Sequence, residues 1–240
     1  MFVIKMEVKS NSNKLRKFIL RLCGAILILY VLLCSLLYIF QEKLIFFPQK
    51  LDKNHTFIFG QAYEELFIKT PDGTQLNALI FKADSSKGLI FYLHGNAGSL
   101  NSWGKVTSTY TNLNYDVCML DYRSYGKSEG NISSQAQFYS DIQTVYNQIK
   151  TKYDEKDINI LGYSIGTGPA AYLAATNSPK RLILQAPYYS LSDMMKQNFG
   201  FIPTFILKYK FETHNYLKHC KAPLSIFHGS QDQVIPYSSS

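Results

Sequence analysis

"NILGYSIGTGPAAY", residues 159–172, is the stretch on which the reading of this chain turns. It opens with an apolar run and closes with small residues at helical spacing. Between them stands Gly162-Tyr163-Ser164-Ile165-Gly166, a G-x-S-x-G. The pentapeptide alone is common enough to arise by chance in a chain this long. Its context makes it informative, because strand, tight turn and helix are what a nucleophile elbow requires. The chain must turn so sharply at Ser164 that side chains on both flanks would collide, which explains Gly162 and Gly166. The result is a serine oxygen at the carboxyl end of a strand, beside a helix N-terminus. The bland reading is a glycine-rich turn with an incidental serine.

Working outward, the same pattern of strand followed by polar loop recurs. "GLIFYLHG" (88–95), "YDVCMLDY" (115–122), "RLILQAP" (181–187) and "PLSIFHG" (223–229) are solid apolar runs. Such runs suit strands covered on both faces of a parallel sheet. "YEELFIKT" and "QLNALIFK" flank a "PDG" turn and read as an antiparallel hairpin. Residues 133–153 place Phe138, Ile142, Val145, Tyr146 and Ile149 on one helical stripe. Strands alternating with helices predict an α/β fold, a mostly parallel sheet of about seven strands with helices on both faces.

Three further motifs end strands. "HGNAG", residues 94–98, has the glycines that let a main-chain N–H bend into a site. With the N–H that follows the nucleophile it would hold a tetrahedral oxyanion, so Asn96 and Ile165 are the expected donors. His94 could be read as a base, but before such a glycine it is expected to pack and hold the loop. "DYRSYGKSEG", residues 121–130, reads as a hydrogen-bonded loop supporting the elbow, with Asp121 a remote alternative acid. "HGSQDQVIP", residues 228–236, sets Asp232 just past a strand, where ligands bind in open parallel sheets. A carboxylate there can orient and charge-stabilise a histidine that deprotonates serine. Asp193 is a rival acid, better placed to favour a helix N-terminus. His214 and His219 are spaced poorly for a metal, His55 stands alone, and His228 reads as structural.

The net charge of +8 is uneven: Lys5, Lys9, Lys14, Arg16, Lys17 and Arg21 against Glu7 leave +5 in the first 21 residues and +3 in the rest. That excludes an extended nucleic-acid surface. The basic segment, residues 1–21, precedes an uncharged run of 19 residues at 22–40, enough to cross roughly 30 Å of hydrocarbon. A cleaved signal would have a shorter core and a small-residue cleavage site. None follows here, and Leu33 before Cys34 argues against lipoprotein processing. An uncleaved single-pass anchor is therefore expected. Its basic flank would lie in the cytoplasm and the remaining chain on the far side, periplasmic or otherwise extracytoplasmic. A connector is expected at 41–62, then the catalytic domain at 63–240 with a small cap at about 188–216. Of the four cysteines, Cys23 and Cys34 lie in the apolar run, and Cys118 and Cys220 are expected as unpaired thiols. A Cys118–Cys220 bridge is the less favoured alternative.

"HGNAG", "DYRSYGKSEG", "GYSIGTGPAAYLA" and "HGSQDQVIP", in this order and spacing, resemble the α/β-hydrolase superfamily. The match is most similar to its single-anchor branch of serine hydrolases, which includes eukaryotic protein depalmitoylases and many uncharacterised bacterial members. "EKLIFFP", after the apolar run, is also similar to that branch. The resemblance implies a hydrolase of ester, thioester or amide bonds with no metal or cofactor. It would act on an acyl-containing small molecule, a lipid or an acylated or peptide substrate. Ser164 then matches the nucleophile, Asp232 the acid, and Asn96 and Ile165 the backbone oxyanion donors. The family's histidine follows one further strand, and no residue here matches it. The expectation from this is a truncated hydrolase, its C-terminal strand and helix missing and its base beyond Ser240. The opposing expectation is a membrane-anchored binding or scaffold protein that keeps the fold without catalysis.

Overall fold

The computed structural model describes residues 8–240, with side chains from residue 13. Lys5, Glu7 and Lys9, used above to count the basic flank, therefore lie outside the described side chains. Two compact units are present, Met1–Gln41 and Glu42–Ser240. The first is the helix α1, Val8–Ile39. Within it Asn13–Ile39 has a mean hydropathy of 2.6 and is long and apolar enough to cross a membrane. The helix begins well before the uncharged run at 22–40, because residues 8–21 carry no proline or glycine to stop it and Lys14–Arg21 are mostly good helix formers.

The second unit starts with a short helix α2, Gln41–Ile45, and a two-residue strand β1, Phe47–Pro48. The stretch expected as a connector thus lies almost entirely inside this unit. The chain then alternates as the apolar runs foretold. Strands β2 (Tyr63–Lys69), β3 (Gln75–Phe81), β4 (Leu89–Leu93) and the very short β5 (Ala97–Gly98) come first. Helices α3 (Leu100–Trp103) and α4 (Thr107–Thr111) lead to β6 (Asp116–Leu120) and α5 (Gln135–Ile149). Strand β7 (Ile158–Tyr163), α6 (Thr167–Thr176), β8 (Arg181–Gln185), α7 (Leu191–Asn198), α8 (Thr213–Leu217) and β9 (Leu224–Phe227) complete the order.

Seven strands form one sheet in the order β2-β3-β6-β4-β7-β8-β9. β2 pairs antiparallel with β3, and β3 antiparallel with β6. From β6 through β9 every pairing is parallel. All five residues of β4 are buried, as an apolar run in mid-sheet should be. Strand periodicity splits them between two cores. Leu89, Phe91 and Leu93 pack with the α5 stripe Phe138, Ile142, Val145, Tyr146 and Ile149 on one face. Ile90 and Tyr92 pack with Phe57, Leu79, Phe81, Leu100, Val117 and Met119 on the other. At roughly 1.5–3 kcal/mol for each large apolar side chain buried, this two-faced core is what fixes the strand ends in space. The chain has the α/β-hydrolase fold.

Candidate active site

Parallel pairing brings the carboxyl ends of β4 and β7 side by side, with Leu93 opposite Gly162. The candidate nucleophile follows at once. Ser164 has φ +52°, a left-handed conformation that a side chain adopts at a cost of about 1–2 kcal/mol. It begins a tight turn, Ser164–Gly166, that runs directly into α6. The flanking glycines are required by close approach. A Cβ at Gly162 would stand 2.5 Å from the Gly166 carbonyl oxygen and 2.7 Å from Ala170 Cβ. One at Gly166 would stand 2.2 Å from the Leu93 carbonyl oxygen. The turn is tied down by Thr167 Oγ1, which donates to the Ser164 carbonyl at 2.7 Å, and by Tyr188 Oη, which donates to the Ile165 carbonyl at 3.1 Å. Ser164 itself is half-buried, open enough to meet a substrate.

The loop after β4 packs against this turn. Gly95 is wedged where a Cβ would lie 3.0 Å from the rings of both Trp103 and Tyr163. Beneath it His94 is fully buried against Tyr122 and Trp103. Its Nδ1 donates to the Gly95 carbonyl at 2.7 Å, and its own carbonyl accepts from Tyr122 Oη at 2.9 Å. Burial pushes its pKa down to about 4, so the ring is neutral near pH 7. The ring is sealed from solvent with Nδ1 engaged on its own loop, while Nε2 has no hydrogen-bond partner among the described residues and lies 3.8 Å from Asp121 Oδ1. Asn96 has its Oδ1 and its carbonyl occupied: Phe47 N–H donates to Oδ1 at 3.3 Å, and Tyr125 Oη donates to both oxygens. Among the described residues, its main-chain N–H has no acceptor.

The loop after β6 supports this arrangement. Asp121 is buried, and its Oδ1 accepts the Leu100 N–H at 2.9 Å. Burial pushes its pKa up to about 8. Arg123 forks onto Asp141 at 2.6 and 2.8 Å and onto Asp72 at 2.8 and 3.0 Å, pinning the loop to α5 and to the β2–β3 turn. Its bidentate pairs give the loop a geometry that simple charge pairing would not. Asp121 is closed off from solvent.

The loop after β9 stands two strands from the elbow, with β8 between. Asp232 turns back on its own segment. Its Oδ1 accepts the N–H groups of Val234 at 2.9 Å and Ile235 at 3.0 Å. Those backbone donors hold its pKa below the usual carboxylate value. His228 donates from Nε2 to the Ile235 carbonyl at 2.9 Å and lies 3.4 Å from Asp232 Oδ2. Ser164, Ile165 and Asn96 are thus brought together on adjoining loops, whereas no hydrogen bond among the described residues links Asp232 to them. Asp193 lies in the first turn of α7, capped by Ser190. His214 stacks on Tyr189, with ring centroids 3.8 Å apart.

One participant has no helical or strand period to announce it. Phe47 and Pro48 pair in parallel with Ala97 and Gly98, so the segment after the apolar helix forms part of the wall of the candidate oxyanion site. The only hint in the sequence is the compact aromatic and proline cluster "LIFFP".

Comparison with known proteins agrees with this architecture. An uncharacterised protein, R595, of Acanthamoeba polyphaga mimivirus is 28% identical over 193 residues, 72% of this chain and 65% of that protein. The lysophosphatidylserine lipase ABHD12 of Danio rerio is 29% identical over 223 residues, 79% of this chain and 58% of the lipase. The chain therefore spans somewhat under two thirds of the length of these relatives. An esterase of Pyrococcus furiosus has the same fold, with a TM-score of 0.63 and 20% identity over 81% of this chain and 80% of its own. A sequence model described as serine aminopeptidase, S33, matches residues 84–215, which hold β4, the elbow and both candidate oxyanion donors. That match covers more than half of the 240 residues, and the chain belongs to the serine aminopeptidase (S33) family of α/β-hydrolases.

Proposed function

We propose that this chain is a membrane-anchored serine hydrolase that cleaves an acyl ester, thioester or amide through an acyl-enzyme. Ser164 Oγ attacks the carbonyl carbon. The main-chain N–H groups of Asn96 and Ile165 take the oxyanion. Asp232 orients a histidine that takes the Ser164 proton and gives it to the departing alcohol, thiol or amine as the acyl bond breaks; water then hydrolyses the acyl-enzyme, freeing the acid and restoring Ser164. The reading assigns none of the five histidines as that base: His94 is sealed under its loop, and His228 is spent on the Ile235 carbonyl. The observation that carries the proposal is Ser164 held at positive φ between two glycines that backbone contact requires. Strain of this kind persists where surrounding structure over-determines it, and it clusters at reacting groups.

For substrate, the proposal is an acyl chain on a lipid or other amphiphile. Phe199, Phe201 and Phe205 are exposed apolar side chains on the segment 188–216, which we read as a cap over the site. The lipase and esterase names among similar proteins support the same class. We further read α1 as an uncleaved anchor, its basic flank cytoplasmic and the hydrolase domain on the opposite side. A reporter fused after Lys53 would then be active only outside the cytoplasm.

A fluorophosphonate probe on the full-length natural protein tests the chemistry. Ser164 should be labelled, and Ser164→Ala should abolish both labelling and ester turnover, a loss on the order of 10⁴–10⁶ in kcat. Labelling that survives Ser164→Ala would overturn the assignment. A folded protein that is never labelled would favour the non-catalytic scaffold.

A further inference from the structure

An oxyanion donor is useful only if its N–H points where charge develops. For Asn96 that direction belongs to the Gly95–Asn96 peptide. In a trans peptide the carbonyl and the N–H point oppositely, so fixing one fixes the other. The Gly95 carbonyl is held from below by His94 Nδ1 at 2.7 Å. The far side of Asn96 is held through its two oxygens. Tyr125 Oη donates to both of them, and Phe47 N–H donates to Oδ1 at 3.3 Å.

Phe47 belongs to a continuous clamp. Phe47 and Pro48 align with Ala97 and Gly98, and Gln49 N–H donates to the Gly98 carbonyl at 2.8 Å. The Gln49 carbonyl accepts the Gly126 N–H at 2.9 Å, and Leu51 N–H donates to the Gly126 carbonyl at 3.0 Å. Lys50 Nζ donates to the Ser128 carbonyl. Residues 47–51 are therefore stitched by backbone to the candidate oxyanion loop on one side and to the loop after β6 on the other. Gly126 allows the close approach. It has φ +45°, and a Cβ there would stand 1.8 Å from Asp121 Oδ2.

We propose that residues 47–51 are a positioning strap for the oxyanion site: Phe47, through its N–H on Asn96 Oδ1, aims the Asn96 N–H, and Gln49 locks the strap between the two loops. This rests on the reading of Asn96 as an oxyanion donor. On this reading Phe47 and Gln49 act through Asn96 and the loop backbone rather than on the substrate. Their effect is confined to the stage at which the carbonyl oxygen becomes charged, so it falls on turnover and leaves substrate affinity alone.

Two substitutions separate aiming from folding. Asn96→Ala keeps the oxyanion N–H but removes the acceptor used by Phe47, and Phe47→Pro removes the donor from the strap. In the full-length protein, each should lower kcat by about 10- to 100-fold with KM changed less than about 2-fold, since complete loss of such a donor costs about 10²–10³. Fluorophosphonate labelling should slow by the same factor. The double variant should lose little more than the worse single one, because both break one link. Lys53→Ala, which removes only the exposed pair with Glu129, should leave kcat unchanged. If Phe47→Pro fails to fold, Asn96→Ala and isosteric Tyr125→Phe carry the test. Full kcat in folded Asn96→Ala, a loss expressed only in KM, or multiplicative losses in the double variant would each overturn the strap. Such results would leave the Ser164 assignment intact, which only the Ser164→Ala experiment can remove.

Discussion

The ends of β7 and β9 carry the two side chains expected to act in one reaction, yet they are built in opposite ways. β7 runs through the middle of the sheet with its first five residues buried, and the turn after it is shaped by its neighbours. Gly166 lies against the Leu93 carbonyl, Gly162 against the Gly166 carbonyl and Ala170, and Tyr188 reaches in to the Ile165 carbonyl. β9 is the last strand in the sheet order, with Leu224, Ile226 and Phe227 all more than 40% exposed. The loop after it is held by its own backbone, with Asp232 accepting from Val234 and Ile235 only two and three residues on. The geometry of Ser164 is thus a property of the whole core, and that of Asp232 a property of a nine-residue loop. Substitutions at the two ends should fail differently.

The largest effect expected is Asp232→Asn. Its Oδ1 can still accept from Val234 and Ile235, so the loop should keep its shape. A neutral amide, however, cannot orient and stabilise a histidinium. kcat should fall by about 10⁴-fold, the scale seen when a triad acid is neutralised. The melting midpoint should move by no more than a few degrees. A large loss of stability with modest loss of turnover would show that the loop is not self-contained.

Next is Gly166→Ala. The added methyl meets backbone on a rigid strand end, which cannot yield as a side chain can. Destabilisation of about 3 kcal/mol or more is expected, read as a fall in the denaturation midpoint before any assay of activity. A fully stable Gly166→Ala would mean that the elbow is looser than the contact with Leu93 requires.

The smallest effect concerns Asp121, a carboxylate at a strand end that is held, like the elbow, by the interior. Its folded pKa, raised to about 8 by burial, exceeds the usual carboxylate value near 3.9. The folded state therefore binds the extra proton, and the associated stability is lost as pH rises towards 8. His94 works in the opposite sense. With its folded pKa lowered to about 4, its contribution is lost as pH falls from about 6.5 to 4. Between pH 6.5 and 8 only Asp121 titrates of the two. Stability should fall there by up to about 1.4 kcal/mol per pH unit, and Asp121→Asn should flatten that slope. An unchanged slope in Asp121→Asn would assign the titration elsewhere.

What was legible in the sequence divides along the same line. Apolar runs gave five strands of the sheet, because a strand covered on two faces must be apolar throughout, and the alternating runs about the "PDG" turn gave β2 and β3; β9, read from a run of the same kind, is instead largely exposed. The α5 stripe was legible because five side chains share one buried face. The elbow could be seen because its glycines answer a steric demand that no other residue meets. Two things could not be read. The pairing of Phe47 and Pro48 with Ala97 and Gly98 is made by main-chain atoms, which leave no period in the side chains. The burial of His94 and Asp121 is set by residues from other elements: Trp103, nine positions on, and Tyr122, 28 on, cover His94, and Leu100, 21 positions back, meets Asp121. The same residues in an open loop would titrate ordinarily.

The strap also bears on the order in which the molecule comes together. The elbow is itself a long-range structure, since Gly162 pairs with Leu93 and Gly166 packs on the Leu93 carbonyl. The strap joins Phe47 to a partner 49 residues later and Lys50 to one 78 residues later. Closing loops of that size is entropically unfavourable by about 3–4 kcal/mol beyond a fixed initial cost, and contacts so distant in sequence form slowly. During synthesis the strap is made first and waits for its partners until the loop after β6 has emerged. Those partners, Ala97, Gly98, Gly126 and Ser128, all precede β7 in the chain, so the strap can close before the elbow has been made, and on the proposed role of the strap Ser164 then enters a site whose Asn96 is already aimed.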